Sequence, residues 1–180
     1  MYSIRRYRPE DRADVEKICI ETANGIFRTR LMRRTLLETF LRYYTDSGNC
    51  FVACDEDRAV GYILFAKNYD SWKDSFLNGN VKRIGNPVGR LIAADTVKTP
   101  GKFSSDYPAH LHINILPEYQ RQGLGMKLLD KLKDELRSSG VKGVMLCAGK
   151  GNEKGINFYR KSGFDEIGTD ASCIAFGMKL

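Results

Sequence analysis

The stretch His110-Leu-His-Ile-Asn-Ile-Leu-Pro-Glu-Tyr-Gln-Arg-Gln-Gly-Leu-Gly125 constrains this chain more than any other. An apolar, β-prone run passes through a short polar loop straight into a helical stripe of Met126, Leu128, Leu129, Leu132 and Leu136. Backbone N–H groups in a helix's first turn have no intrahelical acceptor and stand at the positive end of the dipole. A strand–loop–helix of this kind is therefore suited to anionic phosphate oxygens. Gly123 and Gly125 let the backbone approach a diphosphate without an intervening Cβ, and Arg121 and Lys127 add positive charge at the rim. The spacing is neither a dinucleotide fingerprint, since Leu128 replaces its third glycine, nor a Walker loop, which needs Gly-Lys-Ser/Thr. Taken alone, a Gly-x-Gly is equally compatible with a simple tight turn.

The rest of the chain alternates strand and helix signals. Residues 2–7 read as a strand, and Asp11 as the N-cap of a helix to about Ala23. A second helix is expected over 31–44, with Leu31, Leu36, Leu37, Phe40, Leu41 and Tyr44 inward. Strands Cys50–Cys54 and Val60–Ala66 form a hairpin across the polar turn 55–58. After Ala109–Leu116 and the helix Gly123–Ser139, which stops at Gly140, come a strand over Val141–Cys147 and a helix over 153–162. Gly163 stops that helix, and short strands Phe164–Ile167 and Cys173–Met178 close the chain. Residues 68–108 differ in kind: four glycines, three of the five prolines and no long periodic run mark an irregular insert. Its five aromatics (Tyr69, Trp72, Phe76, Phe103, Tyr107) suit contact with a second substrate, and a peripheral insert without a role is the competing reading.

A length of 180 residues fits one domain, with 42% hydrophobic and 28% charged residues as in ordinary globular proteins. No run reaches the roughly 20 apolar residues of a membrane span, and no apolar leader is visible, so the cytoplasm is the expected compartment. Five cysteines (Cys19, Cys50, Cys54, Cys147, Cys173) without a CxxC pair, most in apolar runs, read as buried reduced thiols, and no metal site is expected. The net charge of +7 makes a polyanionic partner plausible, as either nucleic acid or a phosphate-rich cofactor; a small basic cluster lies at Arg28–Arg34.

A second motif decides between the readings of the loop. Gln120-x-x-Gly123-x-Gly125, preceded by Leu116-Pro-Glu-Tyr119, resembles the pyrophosphate loop of the GNAT acetyltransferases. Asn152-Glu-Lys-Gly-Ile-Asn-Phe-Tyr159-Arg-Lys-Ser-Gly163-Phe164 is similar to that family's next element, in the right order and one strand later. The likeness covers about 109–168. More narrowly, Tyr107-Pro-Ala-His-Leu-His-Ile-Asn resembles bacterial relatives of the acetyltransferase-like domain of O-GlcNAcase.

The resemblance implies an α/β (α+β) fold: one domain over 1–180 with a mixed, splayed central sheet flanked by helices and an insert at about 68–108. It implies acetyl-CoA as cosubstrate and a primary amine, small molecule or peptide, as acceptor, and it allows a homodimer. The strand backbone at Ile113, Asn114 and Ile115 would meet the pantetheine and the thioester. The amides of Arg121, Gln122, Gly123, Leu124, Gly125 and Met126 would take the pyrophosphate, with Asn152 and Tyr159 on the other wall. Tyr159 matches the family's proton donor to the CoA sulfur; a packed aromatic is the plainer reading. His110 and His112, the only histidines, share one strand face with Asn114 and are candidates for the general base or for structural roles. The glutamate that the family often carries on this strand is missing, since position 109 is Ala. Two rivals follow: an acyl-CoA-binding sensor without turnover, favoured by the missing glutamate, and a nucleic-acid binder, which leaves both motifs unexplained.

Overall fold

In the computed structural model, which describes residues 2–23 and 25–180, the β-branched and aromatic runs build one sheet of seven strands. They are β1 (Tyr2–Arg6), β2 (Cys50–Asp55), β3 (Arg58–Ala66), β4 (Ala109–Ile115), β5 (Gly143–Gly149), β6 (Asp165–Thr169) and β7 (Cys173–Lys179). Their order across the sheet is β1-β2-β3-β4-β5-β7-β6. Every neighbouring pair is antiparallel except β4–β5. That parallel pair is joined only at Ala109/Val144 and His110/Met145, whereas β3–β4 pairs over six positions. Beyond His110 the two strands part, and the sheet splays at its fourth strand.

The helices are α1 (Arg12–Thr22), α2 (Arg33–Phe40), α3 (Arg42–Asp46), α4 (Tyr69–Ser75), α5 (Val81–Arg83), α6 (Pro87–Asp95), α7 (Lys98–Gly101), α8 (Leu124–Ser138) and α9 (Glu153–Lys161). On α8 the expected stripe is the buried side: Leu124, Leu128, Leu129, Leu132 and Leu136. Each of these leucines contributes about 1.5–3 kcal/mol by leaving water. Met126, counted in that stripe from sequence, is 39% exposed at the helix head.

Three expectations change. The helix expected over 31–44 is two helices with a break at Leu41 (φ −135°, ψ −57°), which seats Tyr44 in the core against His110. Leu31 precedes the first of these and is 77% exposed, because residues 30–32 form a turn rather than helix. Asp11 does not cap α1 with its side chain. Its carboxylate closes a 3-10 turn over Pro9–Asp11 by accepting from the Arg8 N–H at 2.8 Å and pairing with Arg5 at 2.6 Å.

The insert is more ordered than its composition suggests. Asn68 caps α4 by accepting from the Ser71 N–H, and Asn86, followed by Pro87, caps α6 by accepting from the Gly89 N–H. A π-helical turn over Phe76–Asn80 joins α4 to α5. The segment crosses one face of the sheet and touches both halves. Trp72 lies 4.2 Å, centroid to centroid, from His110 on β4. At the other end, a Cβ on Gly168 would fall on the Phe103 ring and one on Gly177 on the Tyr107 ring, and Thr99 hydrogen-bonds Asp170. The same face carries α1 and α2; α8 and α9 cover the opposite face.

Candidate active site

The loop between β4 and α8 is held open by its own side chains. Gln120 Nε2 donates to the Ile115 carbonyl at 2.9 Å, and Gln122 Nε2 donates to the Glu118 carbonyl at 2.9 Å. Tyr2, from the far edge of the sheet, donates its hydroxyl to Gln122 Oε1 at 2.5 Å. Arg121 (φ +61°) and Gly123 (φ +78°) are left-handed, and Gly123 is the N-cap of α8. For Arg121, a residue with a Cβ, that conformation is strained and concentrates at functional loops. Among the described residues none accepts from the backbone N–H of Arg121, Gln122, Gly123, Leu124, Gly125 or Met126; the first amide that finds a partner is Lys127, donating to the Gly123 carbonyl at 3.1 Å. Six consecutive donors thus crown a 15-residue helix at its positive end. The Leu124 side chain is buried, so that residue can meet a ligand only through its backbone.

The two glycines serve different ends. A Cβ on Gly123 would meet nothing within 4 Å, so its side toward solvent is open. A Cβ on Gly125 would lie 3.0 Å from Phe158 Cε2 and 3.6 Å from Ile115 Cδ1. Gly125 is therefore where α9 leans on α8. Ser162, at the end of α9, donates to the Phe158 carbonyl at 2.8 Å and sets its Oγ 3.3 Å from Met126 Sδ at the same contact. Asn152 caps α9 by accepting from the Gly155 N–H at 3.0 Å, which commits its side-chain oxygen and leaves its amide at the surface.

The register defines the strand edge. The Leu116 N–H donates to the Val60 carbonyl, and the Phe65 N–H points away from β4 to the Asn49 carbonyl. Asn114/Tyr62 and His112/Leu64 are therefore the hydrogen-bonded pairs, and the backbone groups of Ile113 and Ile115 face the splay. The Ile115 carbonyl is taken by Gln120; Ile113 presents its N–H and carbonyl to the gap. Asn114 faces the histidine side, where its Nδ2 donates to the Tyr62 hydroxyl at 2.8 Å.

The three candidate acid–base groups straddle the sheet. His110, at the closed end of the gap, is buried, with Nε2 2.7 Å from the Tyr44 hydroxyl and Nδ1 without a partner among the described residues. His112, one step toward the open end, is half-buried against the rings of Phe40 (5.7 Å) and Tyr44 (5.6 Å). Burial pushes the His112 imidazole down to about 4, and burial together with neighbouring His112 holds His110 well below its ordinary value. Tyr159 lies on the other face, packed on Phe164 and Phe176, and burial raises its phenol. At neutral pH all three are uncharged. The two histidines thus lie on one face of the sheet and Tyr159 on the other. Sequence reasoning named Trp72 among the insert aromatics and Tyr44 as a core position but missed Tyr62, and did not foresee that the three surround the histidine row from helices and a neighbouring strand. It also missed Tyr2, whose role depends on a contact 120 residues distant.

A donor-rich helix head beside a sheet split at its one parallel pair, with a free strand edge in the split, makes a site suited to an extended anionic ligand. The profile of the Acetyltransferase (GNAT) family matches residues 15–164, and the chain belongs to that family. The [ribosomal protein bS18]-alanine N-acetyltransferase of Escherichia coli K12 is 44% identical over 55 residues, 31% of this chain. The match spans 37% of that protein's length, so the chain covers little more than a third of the curated relatives it matches. Among solved structures, SsHAT superposes with a TM-score of 0.85 at 27% identity, over 99% of this chain and 98% of its own. The PaiA N-acetyltransferase of Thermoplasma acidophilum, solved with coenzyme A, gives a TM-score of 0.68 at 17% identity, over 100% and 99%, and shares the fold.

Proposed function

We propose that this chain transfers an acetyl group from acetyl-CoA to a primary amine by direct attack. The carrying observation is the run of six unpartnered amides, Arg121 to Met126, opening onto the splay beside Ile113. The residues fit the cosubstrate. Amides 121–126 hold the pyrophosphate, Gly123 leaves the approach clear, the Ile113 backbone pairs with pantetheine, and Asn152 and α9 form the second wall. Acetyl-CoA supplies an acyl group already activated as a thioester.

The protein's share is positioning and protons. As the C–N bond forms and the C–S bond breaks, the amine nitrogen loses a proton and the departing sulfur gains one. Tyr159, kept protonated by burial, gives the sulfur its proton from the α9 side. On the other face His112, or His110 behind it, accepts the amine's proton. Held below its ordinary value by burial, the His112 imidazole is a weak base toward a resting alkylammonium. His112 therefore acts on an amine that arrives uncharged. That favours acceptors of low basicity, such as an α-amino group near 8, over a lysine side chain near 10.4. The insert, through Tyr69 and Trp72, roofs the acceptor side.

The test is the pH dependence of kcat/KM for wild type, Tyr159→Phe and His112→Gln. Loss of a positioned acid or base costs about 10²- to 10⁴-fold. Both variants should fall in that range while still binding acetyl-CoA. Full activity in both would remove the acid–base assignment, and acetyl-CoA binding without turnover in the wild type would return the acyl-CoA sensor as the better reading.

A further inference from the structure

The outer faces of the N-terminal helices carry a second concavity that shares no residue with the cradle or the histidine row. It is a shallow basin of roughly 720 Å³, open to solvent, and among the described residues it is lined by six arginines: Arg12 of α1, Arg30 before α2, Arg33 and Arg34 of α2, Arg42 of α3 and Arg83 of α5. Among the described residues two carboxylates, Glu38 and Asp46, share the lining, and with Glu16, which pairs with Arg12 and Arg42, the excess is three positive charges. Among the described residues Leu37 is its one apolar member, and no lysine takes part. α2 buries Thr35, Leu36 and Thr39 against the core and turns Arg33 and Arg34 outward.

The acidic groups nearby neutralise only part of this cluster. Arg12 and Arg42 converge on one oxygen of Glu16, at 3.1 and 2.9 Å, and Arg83 stands 3.9 Å from Asp46. Glu38 accepts from Asn80 instead. Arg30, Arg33 and Arg34 make no ion pair among the described residues. Like charges gathered in a concave surface repel one another and focus the field on whatever enters. Planar guanidiniums suit phosphate oxygens bidentately, where lysines would act as point charges.

We propose that this basin is a second ligand site, for a small molecule bearing several phosphates. Its volume lies in the range of small-molecule sites rather than of an extended groove. The surplus of arginines over carboxylates, Glu16 included, suits an anion carrying several phosphates. The proposal is independent of acetyl transfer.

Inorganic tripolyphosphate, titrated calorimetrically into the protein at low salt with and without saturating CoA, is the direct test. CoA occupies the cradle, so any second site must appear in both titrations. We expect one saturable site in the presence of CoA, at least tenfold weaker in Arg33→Glu/Arg34→Glu. An equal charge change at the exposed, distant Lys102→Glu/Lys142→Glu should alter it less than twofold. Binding abolished by CoA, or weakened equally by both double variants, would overturn the proposal. So would a poly-glutamate peptide or an RNA duplex binding more tightly than tripolyphosphate.

Discussion

Replacing Gly123 and Gly125 singly by alanine separates two reasons for the same residue type two positions apart. At Gly123 the φ of +78° is the whole constraint, since an added Cβ meets nothing within 4 Å. A left-handed residue with a side chain costs about 1–2 kcal/mol, and Gly123→Ala should lose that much. At Gly125, inside α8, alanine gains about 0.8–1 kcal/mol of helix propensity. Its Cβ would lie 3.0 Å from Phe158 Cε2 and 3.1 Å from Cζ, so the ring and α9 must give way. Overpacking of that kind costs about 1–3 kcal/mol, and the net result is a loss of about 0–2 kcal/mol. Urea denaturation measures both, and calorimetry with CoA reports the ligand side. Gly123→Ala should weaken CoA through the entering methyl, and Gly125→Ala through displacement of the α9 wall. A Gly123→Ala protein as stable as wild type would refute the backbone argument. A Gly125→Ala protein stabilised by a full helix-propensity increment would refute the contact with Phe158.

Two further outcomes follow from the histidine face. The folded-state pKa of His112, near 4, lies below the unfolded value near 6.5, so the unfolded chain binds the extra proton between these values. Stability is full above about 6.5 and falls as pH drops toward 4; urea midpoints at pH 7, 5.5 and 4.5 should show a shallower fall in His112→Gln, and an unchanged slope would mean that His112 is not held neutral. Trp72→Ala, which empties a buried site against Phe76 and His110, should cost about 3–5 kcal/mol in the same assay, and a loss under 1 kcal/mol would show that the insert is not docked there.

The strand–loop–helix at 109–138 was legible because three local signals agree there: an apolar run, left-handed glycine and a helical leucine stripe. Tyr44 and Leu36 were legible as core positions, yet the break at Leu41 between them was not, since neither proline nor glycine marks it. The insert misled because its helices are three to nine residues long, too short for periodicity to show. Asn68 and Asn86-Pro87 were cap signals available in the sequence. The depressed basicity of the histidines was not available, because it comes from Phe40, Tyr44, Tyr69 and Trp72, which reach β4 from elements distant in the chain.

The central claim is acetyl transfer through the gap between β4 and β5. Its most direct measurement is mass-spectrometric detection of acetylated product together with thiol release from acetyl-CoA, over a panel of α-amino, alkyl and aryl amines. Wild-type protein should release one thiol per acetylated amine and prefer weakly basic acceptors at neutral pH, and Tyr159→Phe should bind acetyl-CoA yet turn over about 10²- to 10⁴-fold more slowly. Tight acetyl-CoA binding with no acetylated product from any amine at any pH between 6 and 10 would contradict the account.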